Sequence, residues 1–419
     1  MHLLNHNFDL DDPELAALAW ARIAEPGDLV AGTITAQLGV VEALRWLSRN
    51  PLAKDYTLFA GSGSDSTMQP ESVGGSELLQ ALGSVRTPGS VRNTIETWRI
   101  RLAEFDPVAE LQSTRQLGAT LLTATSPGWP HQVADLGAAA PFALWVLGEP
   151  DLQSITSSSV ALVGARAATS YGEQVATELA AGLADNSTAV ISGGAYGVDA
   201  AAHRGALAGE GATIAFMAGG IDRLYPPGNH SLLKVISETK SCAVVAEQPP
   251  GSVPYRSRFL ARNRLIAAIS QATIVVEAAW RSGALSTARH AAELFRPVGA
   301  VPGPITSMAS AGCHQLIRDG IAVCVTDAPE VLELSASFAS LPLPASTGNA
   351  LGNGQRALLD GLPPDNQHVY EALPVKGALE VNRLMRILGL PLAVVLSSLG
   401  VLETRGLVEQ TGLKWRRTR

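Results

Sequence analysis

The chain has 419 residues, 46% of them hydrophobic and 16% charged, which excludes a disordered protein and, at roughly 100–200 residues per domain, leaves room for two to four domains. Thirty-eight acidic residues outweigh 31 basic ones, and a net charge of −7 argues against a protein that binds nucleic acid through a general basic excess. The charge is uneven: residues 1–159 hold 9 Lys and Arg against 18 Asp and Glu, residues 160–330 hold 13 of each, and residues 331–419 hold 9 against 7, so a local anion site is compatible with the total.

The opening MHLLNHNFDLDDPELAAL is acidic and puts no basic segment ahead of an apolar run. No later apolar stretch reaches spanning length, which points to a soluble cytoplasmic protein with no membrane partner. An Asp-Asp-Pro start signal opens a helical reading of residues 13–47, with Leu15, Leu18, Ala19 and Ile23 at apolar positions. The Gly/Ser-rich stretch 61–76 reads as a loop, and helical pattern returns over 93–117 with Trp98, Leu102 and Phe105. Residues 1–115 are therefore expected to form an N-terminal helical module, which resembles the SAM or helix-hairpin-helix kind.

From Val160 the texture changes to short apolar runs that end in small-residue loops and alternate with helix-length segments. SSVALVG, TAVISGG, ATIAFMAGG, SCAVVAE, ATIVVEA and PVGAVPG are six such runs. Strands apolar throughout imply a parallel sheet covered on both faces, so residues 116–334 read as a Rossmann-like, doubly wound α/β domain closing near a helix at 328–334. Residues 335–364 have linker composition. Residues 365–419 read as three helices (369–373, 379–388, 392–405) and a hairpin around a Thr-Gly turn, a winged-helix pattern whose wing carries Lys414, Trp415, Arg416, Arg417 and Arg419. Cys242, Cys313 and Cys324 have no zinc-like spacing and are odd in number, so neither a metal site nor a disulfide framework is expected.

Three loops leaving the carboxyl ends of the expected strands are glycine-rich or cationic: VGAR at 163–166, SGGAYGVD at 192–199 and GGIDRLYP at 219–226. That edge of an open parallel sheet is where ligands bind. Glycine lets backbone N–H groups approach an anion, a helix N-terminus adds partial positive charge, and Arg166 can add a bidentate phosphate contact. Tight strand-to-helix turns are the plainer reading of any one loop, but three on one edge favour a nucleotide or nucleic-acid phosphate. No loop fits G-x-x-x-x-G-K-[ST] or a full G-x-G-x-x-G with its acidic partner, which disfavours ATP hydrolysis and NAD chemistry; no cofactor is expected.

Residues 249–273 contain Arg256, Arg258, Arg262 and Arg264 with no Asp or Glu, interleaved with Tyr255 and Phe259. Arg262-Asn263-Arg264 precedes the apolar stretch 265–269, which places its cations near a helix N-terminus, a position the helix dipole disfavours unless an anion is bound. Arginine with aromatics in a groove suits single-stranded nucleic acid; a solvated loop paired to distant acids is the alternative. Asp199 and His203, spaced i to i+4, read mainly as loop-holding and packing residues, with no further ligand to complete a metal site. Glu277 is the best single carboxylate for catalysis, yet it lacks a partner and a structural role is the plainer reading.

Seven segments in order carry a more specific signal: SPGWPHQVADLGAAAPFALWVLGEPD, ALVGARAATSYG, VISGGAYGVDAAAHRGAL, TIAFMAGGIDRLYPPGNHSLL, FLARNRLIAAIS, IVVEAAWRSGALSTARHAAELFRPVGAVPG and GCHQLIRDG. Over residues 127–332 the chain resembles the DNA-processing protein A family, also called DprA or Smf. The resemblance implies a cytosolic DNA-binding protein without a catalytic step, which protects incoming single-stranded DNA in natural transformation and homologous recombination. It further implies loading of the RecA recombinase and a homodimer formed through the Rossmann-like domain, for which the segments around Ala288–Phe295 and Leu316–Val325 are candidates, with plain core packing as the alternative.

The implied strand-binding pocket uses Gly164, Arg166, Ser192, Gly193, Gly194, Asn229, Arg262, Asn263 and Arg264, with Arg256 and Arg258 beside it. Two positions depart from the family pattern. Ala165 stands where many members carry serine or threonine, and Pro227 where many carry a basic residue, for which Lys234 or Arg223 are candidate replacements. Two other classes compete. One is a nucleotide hydrolase of the lysine-decarboxylase-like Rossmann group acting through Glu277 and Arg166, whose P-G-G-x-G-T-x-x-E pattern is missing here; the other is a duplex-DNA regulator whose affinity lies in residues 415–419.

Overall fold

Asp12 accepts hydrogen bonds from the amides of Glu14 and Leu15, and Pro13 fills the first helical position, so helix α1 (Pro13–Ile23) begins at the Asp-Asp-Pro signal. The computed structural model describes residues 8–49, 85, 88–339, 364–374, 378–388, 390–411 and 414–418. It divides into two units, Met1–Val108 with Gly354–Arg419, and Ala109–Asn353.

In the first unit α1 is followed by α2 (Leu29–Leu38), α3 (Val40–Arg49) and α4 (Pro88–Ala103). Residues 13–47 thus form three helices, because Asp28 caps α2 and Gly39 ends it. Trp20 and Trp98 are fully buried and meet edge to face at 5.3 Å, which anchors α4 on α1. The loop expected at 61–76 lies outside the described residues.

The second unit begins within α5 (Pro107–Gln116). The helix expected over 93–117 is broken because Pro107 cannot continue α4, while Asp106 accepts the amide of Val108 and restarts the chain. Then come β1 (Thr120–Thr123), a 3-10 segment at 131–139, β2 (Ala143–Gly148), α6 (Leu152–Thr156), β3 (Ser159–Val163), α7 (Ser170–Asp185), β4 (Ala189–Ser192) and α8 (Val198–Ala208). The unit continues with β5 (Thr213–Met217), α9 (His230–Glu238), β6 (Ala243–Ala246), α10 (Arg256–Ile269), β7 (Ala272–Val275), α11 (Ala284–Glu293), β8 (Val298–Ala300), α12 (Ala311–Arg318), β9 (Val323–Cys324) and α13 (Ala328–Ala339). All six apolar runs are strands. Helix α13 extends to Ala339, past the expected domain end and into the stretch read as linker.

Strand order is β1-β2-β6-β5-β4-β3-β7-β8-β9. The strands from β3 to β9 are parallel, and β2 and β1 add an antiparallel edge beyond β6. Side chains alternate across β3. Val160 and Leu162 join α7, α8 and α13 on one face, while Ala161 and Val163 join α10 and α11 on the other. The chain winds outward from β3 through β4, β5 and β6, then returns to β7 on the opposite flank, so winding reverses between β3 and β7. The loops of that carboxyl edge frame the natural ligand crevice.

The C-terminal part of the first unit holds α14 (Pro364–Ala372), β10 (Leu379–Glu380), α15 (Val381–Leu388), α16 (Leu392–Thr404), β11 (Val408–Thr411) and β12 (Lys414–Arg417). The strands pair in the order β10-β12-β11, and Gly412 and Leu413 of the expected turn lie outside the described residues. Val369, Leu384, Val395, Leu399, Leu402 and Trp415 share one core. Trp415 is therefore buried rather than displayed on a wing.

Candidate nucleic-acid interface

Arg166 leaves the end of β3 exposed to solvent. Its guanidinium lies 4.7 Å from the centre of the Phe259 ring, and that ring meets Tyr225 at 5.9 Å. The loops after β3 and β5 and the first turn of α10 are thus joined by a stack of tyrosine, phenylalanine and arginine. The stack holds the Arg166 head against the Phe259 ring while the residue stays exposed to solvent.

The loop after β4 is held from beneath. The Asp199 carboxylate accepts the amides of Gly193 (3.1 Å) and Ala195 (3.3 Å), and Asn229 Nδ2 donates to the carbonyls of Gly194 and Ala195 at 3.0 Å each. Ser192 Oγ donates to the Leu162 carbonyl. Gly194 has φ +64°, and at Gly193 the Arg262 guanidinium fills the space a Cβ would need. Arg262 is only 6% exposed and donates from Nη1 to the Phe216 carbonyl at 2.5 Å, with its Nε unpartnered. No carboxylate lies within ion-pair distance of it among the described residues, and the acid its charge acts on is Asp199, which holds the same glycine loop.

Helix α10 begins at Arg256. This corrects the placement of Arg262-Asn263-Arg264 near a helix N-terminus: the triplet sits in the interior of the helix, so the dipole argument applies to Arg256 and Arg258 instead. Residues two apart on a helix point about 200° apart. Arg262 accordingly reaches the glycine loop, while Arg264 turns away to a bidentate pair with Glu247, Nη1–Oε2 2.7 Å and Nη2–Oε1 2.5 Å, and adds bonds to the carbonyls of Ala139 and Ala261. The run that is free of acid in sequence receives its acid from the end of β6. Asn263 Nδ2 donates to the Gly283 carbonyl and fixes the entry to α11.

The implied pocket residues therefore separate by task. Gly164, Ser192, Gly193, Gly194, Asn229 and Asn263 shape the loops, Arg264 is consumed in the fold, and Arg262 charges the floor. Arg166 and Arg256 are exposed, and Arg258 lies 4.4 Å from the Tyr255 ring centre while donating to the Val253 carbonyl. Lys234 and Arg223 are both exposed, at 3.8 Å from Glu238 and 3.7 Å from Asp222, so each cation is partly offset by its own neighbour.

Glu277 is buried and accepts from both the amide (2.9 Å) and the hydroxyl (2.6 Å) of Thr169, the cap of α7. Its carboxylate is committed to structure. His203 Nδ1 bonds to Thr213 Oγ1 at 2.8 Å, away from Asp199, and no group of three metal-binding side chains occurs among the described residues.

Burial lowers Arg262 to about 10 while Asp199 holds it up; burial raises Asp199 while Arg262 and the loop amides pull it back. Burial, with Arg262 and Arg204 adding to it, lowers His203 to about 3. A histidine kept neutral in the fold is protonated first in the unfolded chain, so stability falls as pH drops below about 6.5. Between pH 6.5 and pH 5 this contribution is about 2 kcal/mol. Asp199 acts with the opposite sign. Urea unfolding of His203→Gln and wild type at the two pH values isolates the histidine: the variant is expected to show the smaller acid loss, and parallel losses would exclude this role.

A family described as DNA recombination-mediator protein A matches residues 120–336. The chain is 43% identical over 351 residues to a putative DNA processing protein DprA of Mycobacterium tuberculosis (strain H37Rv), covering 81% of this chain and 87% of that one. It is 40% identical over 193 residues to the DNA processing protein DprA of Streptococcus pneumoniae, covering 46% of this chain and 66% of that one. The X-ray structure of the S. pneumoniae DNA processing protein A superposes with a TM-score of 0.56 at 28% identity, covering 78% of this chain and 98% of that one.

Proposed function

Because the chain belongs to the DNA recombination-mediator protein A family, we propose that it binds single-stranded DNA, without catalysing a reaction on it, in the handling of incoming DNA during transformation and homologous recombination. The observation that carries this is the pairing of a buried guanidinium, Arg262, beneath the Gly193-Gly194 loop with an outward one, Arg166, held on Phe259 at its mouth. The exposed Arg166 guanidinium, with the Arg262 charge beneath the loop, attracts phosphate, and exposed Tyr225 and Tyr196 offer ring faces to bases. The engagement of Glu277 by Thr169 counts against the hydrolase reading.

Loading of RecA onto the bound strand, a cytoplasmic location and a homodimer belong to the same proposal. The first two are supported by the resemblance, and among the described residues no helix is long and apolar enough to cross a membrane. The homodimer is supported by Phe295, 83% exposed after α11, and by exposed Val323 on the edge strand β9.

The C-terminal segment is a weaker candidate for the main affinity. Helix α16 carries no lysine or arginine and exposes Leu392, Leu396 and Val401, whereas a helix reading duplex DNA presents polar and basic groups to base edges. Of the wing cations, Arg416 pairs with Glu409 at 2.7 Å, Lys414 lies 3.9 Å from Glu380, and Arg417 donates to the Tyr370 carbonyl.

The test is a titration of single-stranded DNA, duplex and mononucleotide over a range of salt concentrations. Preferential, salt-dependent single-strand binding is expected. The double variant Lys414→Gln with Arg416→Gln should keep single-strand affinity within about twofold, well under 1 kcal/mol. Equal affinity for duplex that disappears in this variant would favour a duplex-binding regulator, and turnover of the mononucleotide would favour an enzyme.

A further inference from the structure

The edge that carries Arg166 does not stop at the winding reversal. The Ala165 amide donates to the Glu277 carbonyl and the Gly312 amide to the Ala278 carbonyl, each at 2.7 Å, and the Tyr171 hydroxyl donates to the Pro302 carbonyl at 2.7 Å. The loops after β3, β7 and β8 are therefore stitched into one ledge. On it lies an open groove of about 260 Å³, lined by Trp280, Ile305, Met308, His314, Gln315 and Arg318 among others. Trp280 is 56% and Met308 67% exposed, so an indole and a thioether are held in water with nothing among the described residues covering them.

The charged side chain that lines this groove is a cation. Its lining contains no carboxylate, Arg318 stands at one side, and exposed Arg281 follows Trp280. Exposed Asp319, next to Arg318, keeps its charge while it accepts from the Gln315 amide at 2.5 Å, so two cations face one acid beside the groove. The volume falls below the ~300–1,000 Å³ typical of pockets for drug-sized ligands and cofactors, while a flat ring with cations beside it suits a base and its phosphate.

Resting on the single-strand reading above, we propose that this groove is a second nucleotide subsite, in which a base of the strand leaving the Arg166 pocket stacks on the Trp280 indole while Arg281 or Arg318 meets its phosphate. The strand then follows the carboxyl edge of the sheet from β5 to β8, and the sequence between Glu277 and α11 sets the length of DNA held.

Oligothymidylates lengthened one nucleotide at a time, titrated into full-length wild type, Trp280→Ala and Arg166→Ala, test the proposal. For Trp280→Ala, short oligonucleotides should bind as to wild type and long ones about 5- to 100-fold more weakly, so the length at which affinity stops rising shortens. Trp280→Phe should restore most of the loss, and Arg166→Ala should weaken every length. Identical curves for Trp280→Ala and wild type would overturn the subsite alone. A change in mass by light scattering with unchanged binding would assign the groove to a second copy of the chain instead. If wild type binds no single strand at any length, the parent reading fails and the subsite with it.

Discussion

Replacing Glu247 with alanine is expected to destabilise the Ala109–Asn353 unit by about 3–5 kcal/mol, the cost of leaving a buried guanidinium without its counter-charge. For a domain of this size that corresponds to a fall in melting temperature of roughly 6–20 °C, read by calorimetry. Arg264 spends four of its five N–H donors, two on Glu247 and two on carbonyls, and is only 5% exposed, so it has little to turn toward a ligand. Arg264→Ala should accordingly lose DNA binding and melting temperature together. A double change of Glu247 and Arg264 to methionine should be less damaging than either single alanine, because it removes both charges at once. An unchanged melting temperature in Glu247→Ala would free Arg264 for a role at the DNA.

Arg166→Ala should separate the two quantities. The side chain is exposed and packs against the Phe259 ring, so the melting temperature should stay within a degree or two of wild type. Single-strand affinity should fall about 10- to 100-fold, the equivalent of removing a charge-assisted hydrogen bond of about 1.5–3 kcal/mol. The dependence of log affinity on log salt should flatten by about 0.7 for each phosphate that is no longer neutralised. Arg166→Lys should restore most of the salt slope but not all of the affinity, since an ammonium carries the charge without the planar fork. Unaltered affinity and slope in Arg166→Ala would remove the anchor of the proposed site.

Much of the α/β unit is legible in the sequence because its cause is local. Each of the six apolar runs is too short for a helix and apolar throughout, and a strand buried on both faces is what such a run can become. Of the strands not read from the sequence, β9 is two exposed residues at an edge and β1 begins with an exposed threonine, while β2 is an apolar run like the six that stands ahead of the strand–helix alternation beginning at Val160. The glycine loops are legible for the same local reason. Arg262 and Arg264 are not separable in the sequence, since both stand in an acid-free run and both look available. Only the roughly 200° between them on α10, and the arrival of Glu247 from β6, make one a floor for an anion and the other a strut.

The groove at Trp280 shows the opposite limit. Trp280, Met308 and Arg318 are far apart along the chain, and no spacing rule connects them; parallel winding brings the loops after β7 and β8 to the same edge. Sequence by itself determined the elements and the chemical types along the carboxyl edge, because apolar periodicity, caps and glycine act within a few residues. Tertiary structure alone decided which of those charges is spent and which is offered. A guanidinium's availability depends on the carboxylates and carbonyls that burial places around it, and those come from other strands.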